Sequence, residues 1–396
     1  PDFGVDGVVD RFGQTTPKVL LAATGYSYAG KSFDLRDRLA EIVALLPSVE
    51  QVLVVDGPSS TQGPVVCGGV RVTPIQEVLN GRASDLTFDQ LPTDHPLYVL
   101  YSSGTTGKPK CIVHRTGGVL LKHLTEQQLH CDIRSGDSVF YFTTCGWMMW
   151  NWLVSCLATG ATIVLFDGNP AYPSQTRLFE ECERHGFTLF GVSAKYIDGC
   201  LKSGLEPGDS YELGSVRTIC STGSPLSNDG FAWVYDSVLA DVHLASVSGG
   251  TDLCGCLVGC DPTKPVVVGE LQGNCLGMDI RLLSAEGQEI TEIGKKGELT
   301  CAAPFPSMPL EFWQDPGDER YRAAYFERFP GVWAHGDFAS WEAGGGIVIH
   351  GRSDATLNAS GVRIGTAEIY NVVEQLPQIA EAVAIGQEYD NDTRIV

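Results

Sequence analysis

Residues 101–110 combine hydroxyl side chains, two glycines and two lysines, and they follow the apolar run 97–100. Glycine lets a backbone approach a ligand closely, hydroxyl and N–H groups donate to phosphate oxygens, and lysine neutralises their charge. The pattern therefore predicts a strand that opens into a loop binding an oligophosphate. The residues of this phosphate loop are Ser102, Ser103, Gly104, Thr105, Thr106, Gly107 and Lys108.

The spacing of the loop excludes the common P-loop of nucleotide-binding proteins. That motif needs four residues between its glycines and a Ser or Thr after its lysine. Here two residues separate Gly104 from Gly107, and Pro109 follows Lys108. A solvated hairpin rich in Gly, Thr and Ser is the alternative interpretation.

Two later segments carry side chains suited to nucleotide chemistry. Thr251 and Asp252 follow a pair of glycines, and an aspartate is a hard oxygen ligand for magnesium. The carboxylate of Asp337 can accept hydrogen bonds from both hydroxyls of a ribose. The structural alternatives are a glycine turn capped by Thr251 and Asp252, and an exposed turn at Asp337.

The elements that must position these residues alternate between short β-branched runs and amphipathic segments. We predict strands at 51–55, 97–100, 139–142, 161–166, 189–192 and 216–220, and helices within 174–185 and 227–239. Such alternation is typical of crossover connections and a mainly parallel, helix-covered sheet. The charge-free stretch 138–166 is predicted to be a strand, a helix and a strand in a core rather than a membrane span.

After residue 254 the pattern changes to glycine-punctuated strands, predicted at 266–268, 279–283, 297–301 and 346–350. From residue 354 we predict a turn-rich strand, a helix within 367–375 and a strand at 382–385. The predicted fold class is α/β. Residues 1–352 form a large domain of mainly parallel sheets with a small β-rich subdomain, and residues 353–396 begin a small α+β domain.

Composition limits the partners of the chain. A length of 396 residues with 43% hydrophobic content supports a large core, and a net charge of −21 argues against nucleic acid or anionic membranes. The 13 cysteines are predicted to be reduced thiols. Cys254, Cys256 and Cys260 lack CxxC spacing and a nearby histidine, which argues against a zinc site.

Taken in order, the motifs between residues 101 and 370 resemble the adenylate-forming superfamily of acyl-CoA synthetases, firefly luciferases and peptide-synthetase adenylation domains. The resemblance implies that the phosphate loop grips the β- and γ-phosphates of ATP. It also implies that Thr251 meets the α-phosphate and that Asp252 holds Mg²⁺. Asp252 stands where glutamate is commoner, and His335 stands where threonine is commoner.

The same resemblance implies further nucleotide contacts and a hinge. Asp337 and Arg352 would contact the ribose, Arg363 would approach the α-phosphate, and the small domain would rotate about Asp354. An ion pair of Arg352 with Asp354 is the structural alternative. The implied catalytic residues are Lys108, Thr251 and Arg363. The nucleotide-binding residues outside the loop are Gly223, Ser224, Pro225, Gly250, Thr251, Asp337, Arg352 and Arg363.

The acid pocket is expected at Trp147, Met148, Met149, Asn151, Thr222 and Gly249. Family members that activate acetate carry a tryptophan at the position of Gly249, so the glycine predicts space for a longer acid. Asn151 is the candidate donor to the keto oxygen of acetoacetate, because an unpaired buried oxygen would weaken binding. Core packing by the Trp and Met side chains is the alternative.

The predicted activity is an ATP-dependent acid–thiol ligation that adenylates acetoacetate and transfers the acyl group to CoA. The expected cofactors and partners are ATP, Mg²⁺, CoA and the acid. The protein is expected in the cytoplasm and without a membrane span. Lys31 is a candidate for the 3′-phosphate of CoA, or an ordinary surface lysine. Butyrate or a similar acid is an alternative substrate, and a catalytically silent nucleotide-binding chain is a second alternative.

The resemblance also implies that the chain is truncated at both ends. The family's catalytic lysine for adenylation would lie beyond Val396, and no lysine follows Asp354. We therefore expect residues 1–396 to adenylate poorly while Lys108, Thr251, Asp337 and Arg352 still hold ATP.

Overall fold

The computed structural model describes residues 3–55, 65–80, 85–102, 109–353, 356–359, 362–365, 369, 373, 376, 379, 382–389 and 392–396. The chain separates into two compact units, and all five points at which the chain passes from one unit to the other fall within the large domain predicted from sequence. Unit 1 comprises Pro1–Thr116, Phe166–Arg177 and Pro309–Gln314, and unit 2 comprises Gly117–Leu165, Leu178–Met308 and Asp315–Val396.

The α-helices of the described residues are α1 Val5–Thr15, α2 Arg36–Leu45, α3 Ile75–Leu79, α4 Thr116–Leu124, α5 Met148–Ser155, α6 Arg177–His185, α7 Ala194–Lys202, α8 Pro207–Ser210, α9 Asn228–Trp233 and α10 Glu319–Tyr325. Two π-helical turns, Thr125–His130 and Val234–Val238, continue α4 and α9, and a 3-10 turn, Cys156–Thr159, continues α5. Within the part of the chain that is described, no helix is long and apolar enough to cross a membrane.

The strands in the same residues are β1 Val19–Ala23, β2 Gly25–Tyr28, β3 Lys31–Asp34, β4 Gln51–Val55, β5 Arg71–Pro74, β6 Pro96–Ser102, β7 Lys110–Arg115, β8 Ser138–Tyr141, β9 Thr162–Val164, β10 Leu189–Ser193, β11 Thr218–Thr222, β12 His243–Ser246, β13 Ser248–Gly250, β14 Gly255–Gly259, β15 Gly273–Asn274, β16 Ile280–Leu283, β17 Gly297–Cys301, β18 Glu311–Phe312, β19 Trp333–Trp341, β20 Ile347–Arg352, β21 Thr356–Ala359, β22 Val362–Gly365, β23 Gly386–Tyr389 and β24 Asp392–Ile395.

Unit 2 is built on a five-stranded sheet with the order β12-β11-β10-β8-β9, in which every pair is parallel. Side chains such as Val139, Phe140 and Val192 are fully buried, as expected for strands covered on both faces. Ser193 and Ser227 accept hydrogen bonds from the first turns of α7 and α9, so side-chain caps start these helices. The predicted α/β class is confirmed.

The glycine-rich part of unit 2 forms antiparallel sheets with the orders β16-β17-β19-β20 and β13-β14-β15. Along β19, buried and half-buried residues alternate from Trp333 to Phe338. Since side chains alternate across a strand, Trp333, His335 and Asp337 share the buried face. The strands predicted at 279–283, 297–301 and 346–350 are therefore confirmed, as β16, β17 and β20.

Unit 1 contains a three-stranded parallel sheet, β1-β4-β5, whose core includes Leu39 and Val43 of α2. It also contains the antiparallel sheet β18-β7-β6 and the hairpin β2-β3. The prediction of a strand before the phosphate loop is confirmed by β6, and β7 follows the loop as its antiparallel partner.

Two predicted strands are wrong. Residues 266–268 form no strand, since Pro265 precedes them, Gly269 has φ +81° after them, and Val267 and Val268 are exposed. The β propensity of valine has no effect without a neighbouring strand that packs against it. Residues 382–385 precede β23 and lie outside its ladder, apart from backbone hydrogen bonds between Ile385 and Val396. Most of the helix predicted within 367–375 lies outside the described residues.

Candidate functional site

Three predicted site segments follow the carboxyl ends of parallel strands in unit 2. The segment 146–151 follows β8, residues 222–225 end and follow β11, and residues 248–252 follow β12. Parallel strands end at one edge of their sheet, where ligands of α/β proteins bind. The ends of β11 and β12 are joined directly, because the Thr222 hydroxyl donates to the Val247 carbonyl at 2.9 Å.

The predicted nucleotide-binding segment 223–225 begins with a backbone conformation that favours glycine. Gly223 has φ +94°, a region that other residues rarely adopt, and Ser224 and Pro225 continue the turn. The backbone N–H of Val247 donates to the Ser221 carbonyl at 3.0 Å, which keeps the neighbouring strand ends in register. These contacts support a rigid turn at the predicted position.

The segment after β13 lies against β19. A Cβ atom built on Gly250 would lie 3.4 Å from Cε1 and 3.5 Å from Nε2 of His335, so the imidazole packs on this glycine. Two residues later, the Asp252 carboxylate accepts a hydrogen bond from the phenol of Tyr325, with Oη 2.5 Å from Oδ1. The predicted metal ligand is thus held by a side chain of α10.

Asp337 lies between two basic side chains. It is the register partner of Arg352 across β19 and β20, and Nη1 of Arg352 lies 3.5 Å from its Oδ1. Nε2 of His335 lies 3.8 Å from its Oδ2. Gly336 has φ +88°, and a Cβ there would lie 2.8 Å from Nη2 of Arg352, so glycine lets the arginine cross the strand.

The structure therefore brings together five side chains that we call the Asp337 cluster: Asp252, Tyr325, His335, Asp337 and Arg352. Nδ1 of His335 is buried and has no hydrogen-bond partner among the described residues. A buried polar atom without a partner costs about 1–3 kcal/mol. Sequence analysis predicted Asp252, Asp337 and Arg352 to belong to one site.

The buried carboxylate of Glu298 contacts the residue that follows β20. Glu298 accepts a hydrogen bond from the Ser353 hydroxyl at 2.7 Å and forms an ion pair with Arg328. Burial raises the pKa of Glu298, and the Ser353 and Arg328 contacts oppose that rise. The pair anchors the residue that follows Arg352.

Sequence analysis missed Tyr325, Glu298 and Arg328. Tyr325 stacks on Trp333 with ring centroids 3.7 Å apart and an interplanar angle of 14°. It contacts Asp252 across a sequence separation of 73 residues, and no local spacing rule joins the two. The aromatic run from Tyr321 to Phe326 is the only sequence signal that marks this helix.

In unit 1 the structure describes the ends of the phosphate loop. Ser102 ends β6 and pairs with Lys110 at the start of β7, whereas residues 103–108 lie outside the described residues. The Ser102 hydroxyl is buried and has no hydrogen-bond partner among the described residues. The Gln14 amide donates to the Pro109 carbonyl at 3.0 Å, which ties α1 to the second end of the loop.

The predicted acid-pocket side chains lie at the start of α5. Trp147 is exposed, Met148 and Met149 pack against the core of the parallel sheet, and Asn151 is half-buried. Met149 also lines a small internal cavity together with Trp152, Cys220, Val247 and Cys256. Met149 therefore packs in the core and also lines this small cavity.

The physical reason given for Gly249 is wrong. A Cβ built on Gly249 would lie 2.0 Å from the carbonyl oxygen of Gly255 and 2.5 Å from Cα of Cys256. The backbone of β14 therefore occupies the direction of the side chain. Glycine at this position permits close pairing of β13 with β14 rather than leaving open space for a longer acid.

The other predicted residues lie in three further segments of the chain. Lys31 is exposed at the start of β3, Arg363 lies in β22 opposite Asn358, and Asp354 lies outside the described residues. None of the 13 cysteines forms a disulfide bond. Across the described ranges, no group of three or more His, Cys, Asp or Glu residues could hold a metal ion.

Comparison with known proteins gives consistent results. The AMP-binding enzyme family matches residues 1–308. The acetoacetyl-coenzyme A synthetase of Rhizobium meliloti (strain 1021) is 52% identical over all of this chain and 60% of its own length. The acetoacetyl-CoA synthetase of Xenopus tropicalis is 43% identical over all of this chain and 60% of its own.

A solved structure is also similar. The acetoacetyl-CoA synthetase from Streptomyces lividans superposes with a TM-score of 0.89 at 46% identity, over 98% of this chain and 59% of that one. The chain thus spans about 60% of the length of the curated relatives it matches.

Proposed function

The chain belongs to the AMP-binding enzyme family, and from this premise we propose that it carries the adenylation site of an AMP-forming acid–thiol ligase for acetoacetate. The reaction is acetoacetate + ATP + CoA to acetoacetyl-CoA + AMP + pyrophosphate. The observation that carries the proposal is the convergence of Asp252, Asp337 and Arg352 in one cluster. The names of the similar proteins support the choice of acid.

The chemistry requires positioning rather than an enzyme nucleophile. A carboxylate oxygen of the acid attacks the α-phosphorus of ATP, and the bond to pyrophosphate breaks. The thiol sulfur of CoA then attacks the acyl carbon, and AMP leaves with the bonding electrons. Alignment of the reactants and stabilisation of charge at phosphorus lower the barrier to both steps.

We assign a task in this reaction to the predicted nucleotide-binding residues of unit 2. Asp337 accepts the ribose hydroxyl hydrogens, and the guanidinium of Arg352 beside it contacts the sugar. Thr251 donates its hydroxyl to the α-phosphate, and Gly223, Ser224 and Pro225 bound the adenine. Arg363 supplies positive charge to the same phosphate.

Other tasks are proposed for residues of unit 1 and for the segment around residues 352–354. The phosphate loop at 102–108 holds the β- and γ-phosphates, and Lys31 contacts CoA. The domain division at 352/353 and the hinge at Asp354 remain proposals, as does a cytoplasmic location.

The donor set at Asp252 fits magnesium. Magnesium prefers hard oxygen ligands and is commonly bound by one or two carboxylates together with substrate phosphates, so one aspartate suffices. When bound, the ion would supply neutralisation of the phosphate charge. Asp252 would hold it, and Tyr325 donates a hydrogen bond to one oxygen of that carboxylate.

Acid choice can be tested by ATP–pyrophosphate exchange driven by acetoacetate or by butyrate. We expect faster exchange with acetoacetate, although weak for residues 1–396. Asn151→Leu should reduce the acetoacetate rate about tenfold, roughly the value of one buried hydrogen bond, and leave the butyrate rate unchanged.

Val154→Leu is the control on the same helix, because Val154 is exposed and lies outside the predicted acid pocket. Faster exchange with butyrate than with acetoacetate would show that butyrate, rather than acetoacetate, is the preferred acid. ATP binding without exchange under any acid would favour the silent nucleotide-binding alternative.

A further inference from the structure

Tyr325 contacts Asp252, the predicted metal ligand. It is the last residue of α10, and its phenol donates to Oδ1 of Asp252 at 2.5 Å. A hydrogen bond from a neutral donor to a carboxylate is shorter and stronger than one between neutral groups. The contact therefore fixes the orientation of the Asp252 side chain.

The Tyr325 ring is itself held in place. It stacks on Trp333 at 3.7 Å, and Tyr321 packs edge-on at 5.3 Å between ring centroids. Aromatic side chains packed on two sides cannot rotate without losing these contacts. The direction in which the phenol points is thus set by the surrounding rings.

The chemistry of the two groups sets the direction of the hydrogen bond. An ionised carboxylate only accepts hydrogen bonds, whereas a phenol can donate one, so Tyr325 is the donor and Asp252 the acceptor.

Trp333 links this pair to the nucleotide-binding strand. It begins β19, and Trp333, His335 and Asp337 alternate onto the same buried face of that strand. A shift of Tyr325 would therefore be transmitted to both the predicted metal ligand and the predicted ribose ligand.

We infer that Tyr325 is a positioning residue that orients Asp252 toward a divalent cation bound with ATP. The inference rests on the proposed function, because it takes Asp252 as the metal ligand. Groups that hydrogen-bond to a metal ligand fix its orientation, and their loss weakens metal binding.

The test measures Mn²⁺ binding by electron paramagnetic resonance, with and without ATP. Tyr325→Phe keeps the stacked ring and removes the donor. We expect about tenfold weaker Mn²⁺ binding in the presence of ATP, the low end of the loss for such partners, and unchanged ATP binding without metal. Tyr235→Phe is the control, since its phenol donates to the Val242 carbonyl at 3.3 Å in the same unit.

A mutant cycle separates positioning from a general structural role. In an Asp252→Asn background, Tyr325→Phe should cause no further loss of Mn²⁺ binding, because its action passes through the carboxylate. An equal loss in both backgrounds, with a lowered melting temperature, would indicate a structural role and overturn the inference.

Two further outcomes distinguish this inference from the function on which it rests. Tight Mn²⁺ binding by Tyr325→Phe would overturn the role of Tyr325 and leave the proposed function intact. Absence of ATP-dependent Mn²⁺ binding in the unmodified protein would overturn both.

Discussion

Unit 2 contains two groups of polar side chains that we compare by the lengths of their contacts. The first, which we call the Glu126 network, comprises Lys122, Glu126, His130 and Trp152. Glu126 accepts hydrogen bonds from the Trp152 indole at 2.9 Å and from the Cys256 backbone N–H at 2.7 Å. Both ring nitrogens of His130 are bonded, at 2.6 and 3.0 Å. In the Asp337 cluster, the contacts of His335 and Arg352 to Asp337 are 3.8 and 3.5 Å.

The two groups also differ in the partner of one ring nitrogen. Buried polar atoms bonded by the protein's own chain stabilise the fold, and the backbone of β14 depends on Glu126 in this way. Nδ1 of His335 has no hydrogen-bond partner among the described residues. We propose that this atom bonds to a nucleotide.

The largest effect is expected from removing the centre of the Glu126 network. Glu126→Ala leaves the buried ammonium of Lys122, 3.3 Å from Glu126, without its counter-ion and leaves two N–H groups unpaired. We expect a loss of about 3–5 kcal/mol in the free energy of unfolding, measured by urea denaturation.

Glu289→Ala is the control, because Glu289 forms an exposed ion pair with Arg281 at 3.6 Å and should cost less than about 1 kcal/mol. Similar losses in the two variants would mean that the Glu126 network does not stabilise the fold as its geometry indicates.

A matched pair of histidine substitutions sharpens the comparison. His130→Phe leaves the Cys260 carbonyl and the Leu276 amide without their hydrogen-bond partner. It should lower the free energy of unfolding by about 1–3 kcal/mol. His335→Phe retains a buried ring and removes an unpaired atom, so stability should be unchanged or higher by about 1 kcal/mol.

The binding readout should have the opposite order. ATP affinity, measured by titration calorimetry, should fall roughly threefold to tenfold in His335→Phe, the value of one hydrogen bond, and stay constant in folded His130→Phe. A stability loss in His335→Phe equal to that in His130→Phe would remove the distinction between the two groups.

The smallest effect concerns pH. Complete burial lowers the pKa of His123, whose ring nitrogens contact the Ser155 hydroxyl and the Cys254 carbonyl. Below about pH 6.5 the unfolded chain takes up a proton that folded His123 excludes, so stability falls as pH decreases from there toward the folded pKa.

His123→Gln should flatten this slope in melting temperatures measured from pH 7.5 to 5, without abolishing it, because burial also lowers the pKa of His243. His95→Gln, at an exposed position, is the control. An unchanged slope in His123→Gln would assign the pH dependence to other groups.

Much of the framework could be predicted because it depends on local patterns. The alternation of apolar runs predicted β4, β6, β8 and β10 and the parallel sheet, since the period of hydrophobic residues reflects burial directly. Strand limits were less accurate: β11 begins two residues after the predicted start, and 266–268 form no strand. Strand ends depend on neighbouring strands, which local sequence does not specify.

The sequence by itself determined the kinds of functional group and their order: a loop of hydroxyls, glycines and lysines, then Asp252, Asp337 and Arg352. Only the tertiary structure decided which groups meet. It placed Tyr325 on Asp252 and His335 beside Gly250, and it filled the space at Gly249 with the backbone of β14. These contacts join residues far apart in the chain, and packing between strands and helices determines them rather than any local periodicity.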